Sequence, residues 1–306
     1  MAGSGRFRNP QTSRAPTASR EARLAGVESR PQVGAASDAT RVEGCARPSV
    51  RALLARDHVG FTETARTFDS WLLPPPTSIT LIINVGETFG ELPAAFVAGL
   101  DDTYSVVTLG AAVSCVDVKL SPLGAYRVLG GMTMSELTGA TVDLSALLGD
   151  PGRRLLESVR GAPDWSERFA LLDRFLAGRA QTGPQPRPEV AHVWQRLVNG
   201  TGRVPIGALA TEVGWSHKHL ITKFTQQVGL APRTLARIVR FNQILHRLQR
   251  SARPVRWSEL AQACGYYDQA HLDRDFREFA GTTPTEFLTR RVPGGSLVGD
   301  GVEQRR

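Results

Sequence analysis

The sequence predicts an α+β protein, with a mostly β N-terminal half followed by helices and an all-α C-terminal third. Short runs rich in β-branched and aliphatic residues fill most of residues 79–120, and each run has the length of a strand. From Asp150 onward the apolar residues recur with a helical period. The proline-rich and glycine-containing stretch Gln181–Pro188 interrupts the helical pattern and predicts an interdomain linker over residues 181–189.

Length and composition argue against a disordered protein, a membrane protein and a disulfide-rich protein. The chain has 306 residues, enough for about two domains, and 41% are hydrophobic, which argues against a wholly disordered chain. No apolar run approaches the roughly 18 residues of a membrane helix, so no membrane partner is expected. Cys45, Cys115 and Cys264 lie far apart, which predicts neither a disulfide framework nor a CxxC metal site. No apolar block follows the basic N-terminus, so we expect a cytoplasmic protein.

The positive charge is concentrated in one part of the chain. Residues 185–291 contain 16 basic and 8 acidic side chains, a balance of +8 that equals the net charge of the whole chain. Residues 1–47 carry 8 basic and 4 acidic side chains, and residues 48–184 carry 11 and 15, so these two segments cancel. Such asymmetry predicts a polyanionic partner for the C-terminal third.

The N-terminal half is predicted to contain a tail and a β domain. Residues 1–47 have few large apolar side chains and no period, which predicts a disordered tail, as does the composition of residues 292–306. Residues 48–180 form the predicted regulatory domain, in which residues 51–61 and 64–73 are helical or mixed. The predicted strands are Ile79–Val85, Ala94–Leu100, Thr103–Leu109 and Ala112–Leu120. Asp101 and Asp102 are typical of a hairpin turn between the second and third of these.

Local signals define strand faces and helix starts in the same domain. Val116, Val118 and Leu120 alternate with polar residues, which predicts a sheet with one face in water. Asp150 followed by a proline predicts the start of one helix, and Asp164 predicts the start of the next.

The C-terminal third contains an internal repeat. Leu209, Ala210 and Gly214 recur 51 residues later, and His219, Leu220, Phe224, Gly229 and Pro232 recur 52 residues later. In each copy a short helix ends at a glycine, and a capping residue, Ser216 or Asp268, starts a second helix. This order is typical of a helix-turn-helix. The intervening helix, from Pro232 to about Gln249, is predicted to hold the two units apart, so that both second helices can enter successive major grooves about 34 Å apart.

The repeat lies within a longer pattern that resembles a known family. The pattern runs GWSxxxLxxxF and GLAP, then RxxRF on the intervening helix, then ACGYxDQxHLxRxFRxFxGTTPxEF, which ends at Phe287. Over residues 190–291 the chain resembles the DNA-binding domain of AraC/XylS-type transcriptional regulators, in which two helix-turn-helix units flank a long helix. Residues 48–180 resemble only loosely the regulatory halves of that family, which are often cupin-like β-barrels.

The resemblance implies a sequence-specific transcriptional regulator with double-stranded DNA as its partner. It also implies a small-molecule effector, a second copy of the chain and RNA polymerase as further partners. An alternative is a ligand-independent regulator whose N-terminal domain serves only dimerisation or protein contact. A third hypothesis, an enzyme tethered by a basic domain, lacks support, because we find no acid/base or nucleophile cluster, no P-loop and no GxSxG motif. His58 is the one histidine before residue 190, so the inventory predicts no metal site in the β domain, and no cofactor is expected.

Candidate DNA contacts follow from the predicted inward faces of the two recognition helices. With the apolar residues inward, the groove-facing side chains are Lys218, Ile221, Thr222, Gln269, Asp273 and Arg274. Glutamine can bind adenine and arginine can bind guanine in a bidentate manner. Asp273 is the exception, since it either accepts from a cytosine amino group or pairs with Arg277 one turn later, and we favour the pair.

A second group of side chains is predicted to bind phosphates, which positions a protein on DNA without reading its sequence. The phosphate candidates are His217, Arg233, Arg237, Arg240 and Arg277. His219 and His271 occupy equivalent positions in the repeat, and we interpret them as packing or helix-start residues.

Overall fold

The N-terminal half is built on antiparallel strands, described in a computed structural model over residues 38–64, 70–86, 92–108, 112–250 and 256–289. In chain order the strands are β1 (Asp38–Gly44), β2 (His58–Thr64), β3 (Ser70–Leu73), β4 (Ile79–Asn84), β5 (Ala95–Ala98), β6 (Ser105–Thr108), β7 (Val113–Leu120) and β8 (Thr141–Asp143). Six of them form one sheet in the order β1-β2-β7-β4-β5-β8, and β3 pairs with β6 in a separate ribbon. The predicted β character of this half is confirmed.

The helices of the N-terminal half lie before, between and after these strands. They are α1 (Pro48–Arg51), α2 (Pro122–Val128), α3 (Leu144–Leu148), α4 (Asp150–Gly161) and α5 (Trp165–Thr182), with a 3-10 turn at Met134–Leu137. Asp164 caps α5 as predicted, since its Oδ1 accepts from the Glu167 N–H at 2.9 Å. The prediction for α4 is wrong by one residue, because Gly149, at φ +65°, is the N-cap and Asp150 is already helical.

The sheet and α5 enclose the core of this half. Val116, Val118 and Leu120 on β7 are at most 1% exposed, as the alternation predicts. The opposite face of the sheet is less exposed to solvent than predicted, because Lys119 is only 9% exposed and its Nζ donates to the Thr80 hydroxyl at 2.8 Å. Neighbouring Asp117 accepts from Arg56 at 2.5 Å, so ion pairing and hydrogen bonds replace water there.

The predicted disordered tail is wrong for residues 38–47. Asp38–Gly44 pairs with β2 along its whole length, and Ala46 is buried. Thr40, Arg41 and Glu43 on this strand are exposed, so the strand needs few large apolar residues. At its end it lies close to α5, because a Cβ added to Gly44 would lie 2.3 Å from the ring of Phe169. Residues 1–37 of the predicted tail, and the predicted tail at 292–306, lie outside the described residues.

The predicted hairpin at Asp101 and Asp102 is also wrong. β5 pairs with β4 and β8, whereas β6 pairs with β3, so the turn joins two different sheets. Asp101 Oδ1 accepts from the Thr103 N–H at 3.2 Å, which stabilises a turn without requiring that the flanking strands pair. Of the two segments predicted as helical or mixed, the first overlaps α1 only at Arg51 and ends in β2, and the described part of the second is strand.

The C-terminal third is helical, as predicted. Its helices are α6 (Pro188–Asn199), α7 (Ile206–Glu212), α8 (His217–Val228), α9 (Pro232–Arg250), α10 (Trp257–Ala263), α11 (Gln269–Phe279) and α12 (Pro284–Thr289). The predicted linker is shorter in the structure, because α5 extends through Thr182 and α6 begins at Pro188. Within the described parts of the chain, every helix is too short or too polar to cross a membrane.

Candidate nucleic-acid interface

The first helix-turn-helix unit consists of α7, a turn at Gly214 and the recognition helix α8. Gly214 has φ +68°, which is costly for any residue with a side chain, and so the turn requires glycine. The Ser216 hydroxyl accepts from the His219 N–H at 3.2 Å and caps α8 as predicted. Leu220, Phe224 and Val228 are fully buried, which leaves the other face of α8 outward.

The second unit repeats this construction with α10 and α11. Gly265 has φ +79°, and Asp268 Oδ1 accepts from the His271 N–H at 2.7 Å. The aromatic residue after each turn glycine contacts a histidine edge-on: Trp215 meets His219 at 4.7 Å, and Tyr266 meets His271 at 5.1 Å between ring centroids. The packing role predicted for these histidines is therefore seen in both units.

The long helix α9 holds the two units together. Leu235, Ile238 and Phe241 are fully buried along one face of α9. The Phe241 ring lies 4.9 Å from that of Phe276 and 5.4 Å from that of Phe279, both on α11. These aromatic contacts hold α11 in a defined orientation relative to α9.

The candidate base-reading side chains lie on the outward faces of α8 and α11. Lys218, Thr222, Gln269 and Arg274 are exposed, and Ile221 and Asp273 are partly exposed. The Thr222 hydroxyl donates to the Lys218 carbonyl at 3.0 Å, so its hydrogen is already engaged within the helix. The helix N-termini, which enter the groove first in this class of motif, carry Lys218 on α8 and Gln269 on α11.

The intrahelical pair that we favoured for Asp273 is wrong. Among the described residues, the ion pairs do not include one between Asp273 and Arg277. Asp273 Oδ1 is buried and has no hydrogen-bond partner within the described part of the chain. Because the Asp273 side chain as a whole is partly exposed, Asp273 stays a candidate for base reading.

The five phosphate candidates divide into two groups. His217, Arg233 and Arg277 are exposed. Arg237 and Arg240 are partly buried and bound within the domain, which is unfavourable for the phosphate contacts predicted for them. Arg240 Nη1 donates to the Gly202 carbonyl at 3.2 Å, and its guanidinium lies 5.7 Å from the ring centroid of Tyr266.

Arg237 connects α9 to α11 through two carboxylates. Its Nη2 lies 2.7 Å from Asp275 Oδ1 and 2.5 Å from Glu278 Oε2, and its guanidinium covers the ring of Phe279 at 4.9 Å. Hydrogen bonds with Glu278 and then Asp275 raise the pKa of Arg237 above its ordinary value, although burial opposes this. Because its donors are engaged, Arg237 positions α11 and is poorly placed to bind a phosphate.

The structural roles of two further residues, Arg203 and Tyr266, are not apparent from the amino-acid sequence. Arg203, in the loop before α7, donates to the Ala263 carbonyl at the end of α10 and so joins the two units directly. Tyr266 is 4% exposed, and its burial, together with the nearby Asp275 carboxylate, raises the pKa of its hydroxyl. No local spacing could have shown the first contact, because the two residues are 60 positions apart.

A charged cluster attaches α6 to the first unit. Glu212 on α7 accepts from Arg196 at 3.0 Å and lies 3.0 Å from His192 Nε2. Hydrogen bonds from Arg196 and then His192 lower the pKa of the exposed Glu212 carboxyl to about 2. Glu212 and Arg196 therefore stay charged over the physiological pH range, and their ion pair joins α6 to α7.

The N-terminal half contacts both units at the C-terminal ends of their recognition helices. The Thr138 hydroxyl donates to the Gly229 carbonyl just after α8 at 2.8 Å, and the Thr103 hydroxyl donates to the Glu278 carbonyl on α11 at 2.9 Å. Gly281, after α11, lies against Tyr104, since an added Cβ would be 2.9 Å from that ring. These contacts leave the N-terminal ends of α8 and α11 exposed.

The described residues of the β domain include a buried histidine-aspartate pair. His58 is fully buried, and its Nε2 lies 2.8 Å from Asp173 Oδ1, so the pair attaches α5 to β2. Within the described ranges, no three His, Cys, Asp or Glu side chains lie close enough together to hold a metal ion. Burial raises the pKa of the Cys264 thiol in the second helix-turn-helix unit, which lowers its reactivity.

Comparison with known proteins places these helices in a known class. Residues 209–290 match a family model described as a helix-turn-helix domain. An uncharacterized HTH-type transcriptional regulator of Bacillus subtilis, YbfI, is 32% identical over 90 residues, which cover 29% of this chain and 32% of that protein. The chain thus spans about a third of the length of this relative.

Two solved structures match parts of the chain. The C-terminal domain of AraT, a response regulator from Geobacillus stearothermophilus, matches 36% of this chain and 91% of its own at 19% identity and a TM-score of 0.33. ToxT from Vibrio cholerae with a bound unsaturated fatty acid matches 78% of this chain and 96% of its own at 10% identity and a TM-score of 0.42.

Proposed function

Because the C-terminal third of the chain carries a helix-turn-helix domain of the AraC type, we propose that the protein is a transcriptional regulator that binds double-stranded DNA in a sequence-specific manner. One observation carries the proposal: both units are structurally complete, share α9 and present exposed recognition faces. An enzyme tethered to DNA has no comparable support. We further propose that the protein acts in the cytoplasm, where a bacterial-type regulator meets its DNA.

In the proposed mode of binding, α8 and α11 enter successive major grooves with their N-terminal ends first. Arg274 and Lys218 donate to guanine, Gln269 binds adenine, Ile221 meets a thymine methyl group, and Asp273 accepts from a cytosine amino group. Thr222 is a weaker candidate because its hydroxyl already donates to the helix. His217, Arg233 and Arg277 bind phosphates, while Arg237 and Arg240 keep the units in position.

Charge supports the same assignment. The excess of eight positive charges over residues 185–291 lies in the helical domain that bears the recognition helices. Each cation that neutralises a phosphate releases a counterion, so the affinity for DNA should fall linearly with salt on a double-logarithmic scale.

Selection from random duplexes by the full chain tests the proposal. We expect a motif with two blocks centred about one helical turn apart, because each unit contributes one recognition helix. Affinity should fall by about 40-fold or more between 50 and 200 mM salt if cations contact at least three phosphates. As a matched control, Arg154→Ala removes an exposed arginine from α4 in the N-terminal half and should change neither result. Recovery of no enriched sequence would contradict the proposal.

The N-terminal half is proposed to regulate this binding. Thr103 and Thr138 connect it to both units, so a small molecule that binds one arrangement of this half more tightly would shift the orientation of the recognition helices. The alternative is a half that serves only to bind a second copy of the chain or another protein, such as RNA polymerase. A metabolite that raises the melting temperature and also changes the DNA affinity would favour regulation by a small molecule. A metabolite that stabilises the protein without changing the DNA affinity would favour a half that only binds another protein chain.

A further inference from the structure

The two helix-turn-helix units align with each other at a constant offset except for one additional residue in the turn of the second unit. In both, a glycine with positive φ is followed by an aromatic residue that contacts a histidine edge-on. In the first unit the capping Ser216 comes directly after Trp215. In the second unit one additional residue, Tyr267, separates Tyr266 from the cap Asp268.

The additional residue is the most exposed large hydrophobic side chain in the described parts of the molecule. Tyr267 is 89% exposed, whereas its neighbour Tyr266 is 4% exposed, and Val106 follows at 40%. A tyrosine combines an apolar ring with a hydroxyl donor, and this residue type is enriched where one surface covers another. The position of Tyr267 in the turn, one residue before the cap of α11, determines what could cover it.

Resting on the proposed function, we propose that Tyr267 is a DNA-backbone contact of the second unit. The side chains of α11 that follow the cap, Gln269 and Arg274 among them, occupy the groove. A residue in the preceding turn lies at the edge of that groove, where the sugar-phosphate strand passes. The ring of Tyr267 packs against a deoxyribose, and its hydroxyl donates to a phosphate oxygen.

This assignment has a distinct energetic signature. A neutral hydroxyl adds affinity but releases no counterion, so Tyr267 should leave the salt dependence unchanged, unlike Arg277. A backbone contact also carries no sequence information, so Tyr267 should leave the selected motif unchanged, unlike Arg274. The first unit has no residue equivalent to Tyr267, so the gain in DNA affinity should come only from the half-site that α11 binds.

The experiment compares Tyr267→Phe and Tyr267→Ala with the wild type in the full chain, on the duplex that the wild type selects. Tyr267→Phe should weaken binding roughly two- to tenfold through loss of one hydrogen bond, and Tyr267→Ala should weaken it further. Phosphate ethylation interference should show one phosphate, beside the α11 half-site, whose modification harms the wild type but not Tyr267→Phe. Thermal unfolding should not change, and the exposed Val106→Ala should bind as the wild type does.

Three outcomes decide the inference. If both variants bind the selected duplex with wild-type affinity and the same interference pattern, the inference is overturned while the proposed function stands. If Tyr267→Ala selects a different motif, the tyrosine reads bases, and the backbone assignment is overturned. If the wild type selects no sequence at all, the proposed function and this inference fall together.

Discussion

Replacing Arg274 by alanine is expected to weaken binding to the selected duplex by roughly 5- to 150-fold, the range that corresponds to one bidentate contact with guanine. The residue is exposed on the outward face of α11, and Leu272 and Phe276 on the opposite face are fully buried. Its removal should therefore leave the domain folded. Affinity for random DNA should hardly change, so the variant loses specificity and not general binding.

Fluorescence anisotropy with the selected duplex and with duplexes altered at single base pairs measures this effect. Arg274→Ala should tolerate substitution of one guanine that the wild type requires. Arg277→Ala is the matched control, because it removes an exposed arginine from the same helix. It should weaken all duplexes alike and reduce the salt slope by about one. If Arg274→Ala behaved like this control, Arg274 would be a phosphate contact.

Replacing Arg237 by alanine is expected to destabilise the C-terminal domain by about 3 kcal/mol, near the lower end of the cost of breaking a buried ion pair. The variant would leave Asp275, whose side chain is 1% exposed, with a buried and uncompensated charge. Arg237 is itself 27% exposed, so water can replace part of the lost interaction. The Phe279 ring would also lose the guanidinium that covers it.

Chemical unfolding of the full chain, together with hydrogen exchange of α11, measures this loss. Arg233→Ala removes an exposed arginine one turn earlier on α9 and should change stability by less than about 0.5 kcal/mol while weakening DNA binding. Adding Asp275→Asn to Arg237→Ala should recover part of the stability, since it removes the unpaired charge. If Arg237→Ala is as stable as the wild type but binds DNA more weakly, Arg237 is a phosphate contact and not a structural residue.

Much of the C-terminal domain could be predicted because its signals are local. The repeat, the turn glycines Gly214 and Gly265 and the caps Ser216 and Asp268 each act within a few residues, and each has the predicted role. The N-terminal half was harder to predict because a strand depends on partners distant in the chain. β1 lacks a strong strand pattern and forms through its pairing with β2 and its contact with α5.

Two helix-turn-helix units with outward faces on α8 and α11 can be recognised in the amino-acid sequence, because helical period, turn glycines and caps are short-range properties. Which arginines can face a ligand depends on long-range packing and becomes apparent from the fold. Arg233 and Arg237 lie one turn apart on the same helix, yet Arg237 alone reaches Asp275 and Glu278. A helical period assigns a residue to a face, but the partners that a side chain finds there come from segments distant in the chain.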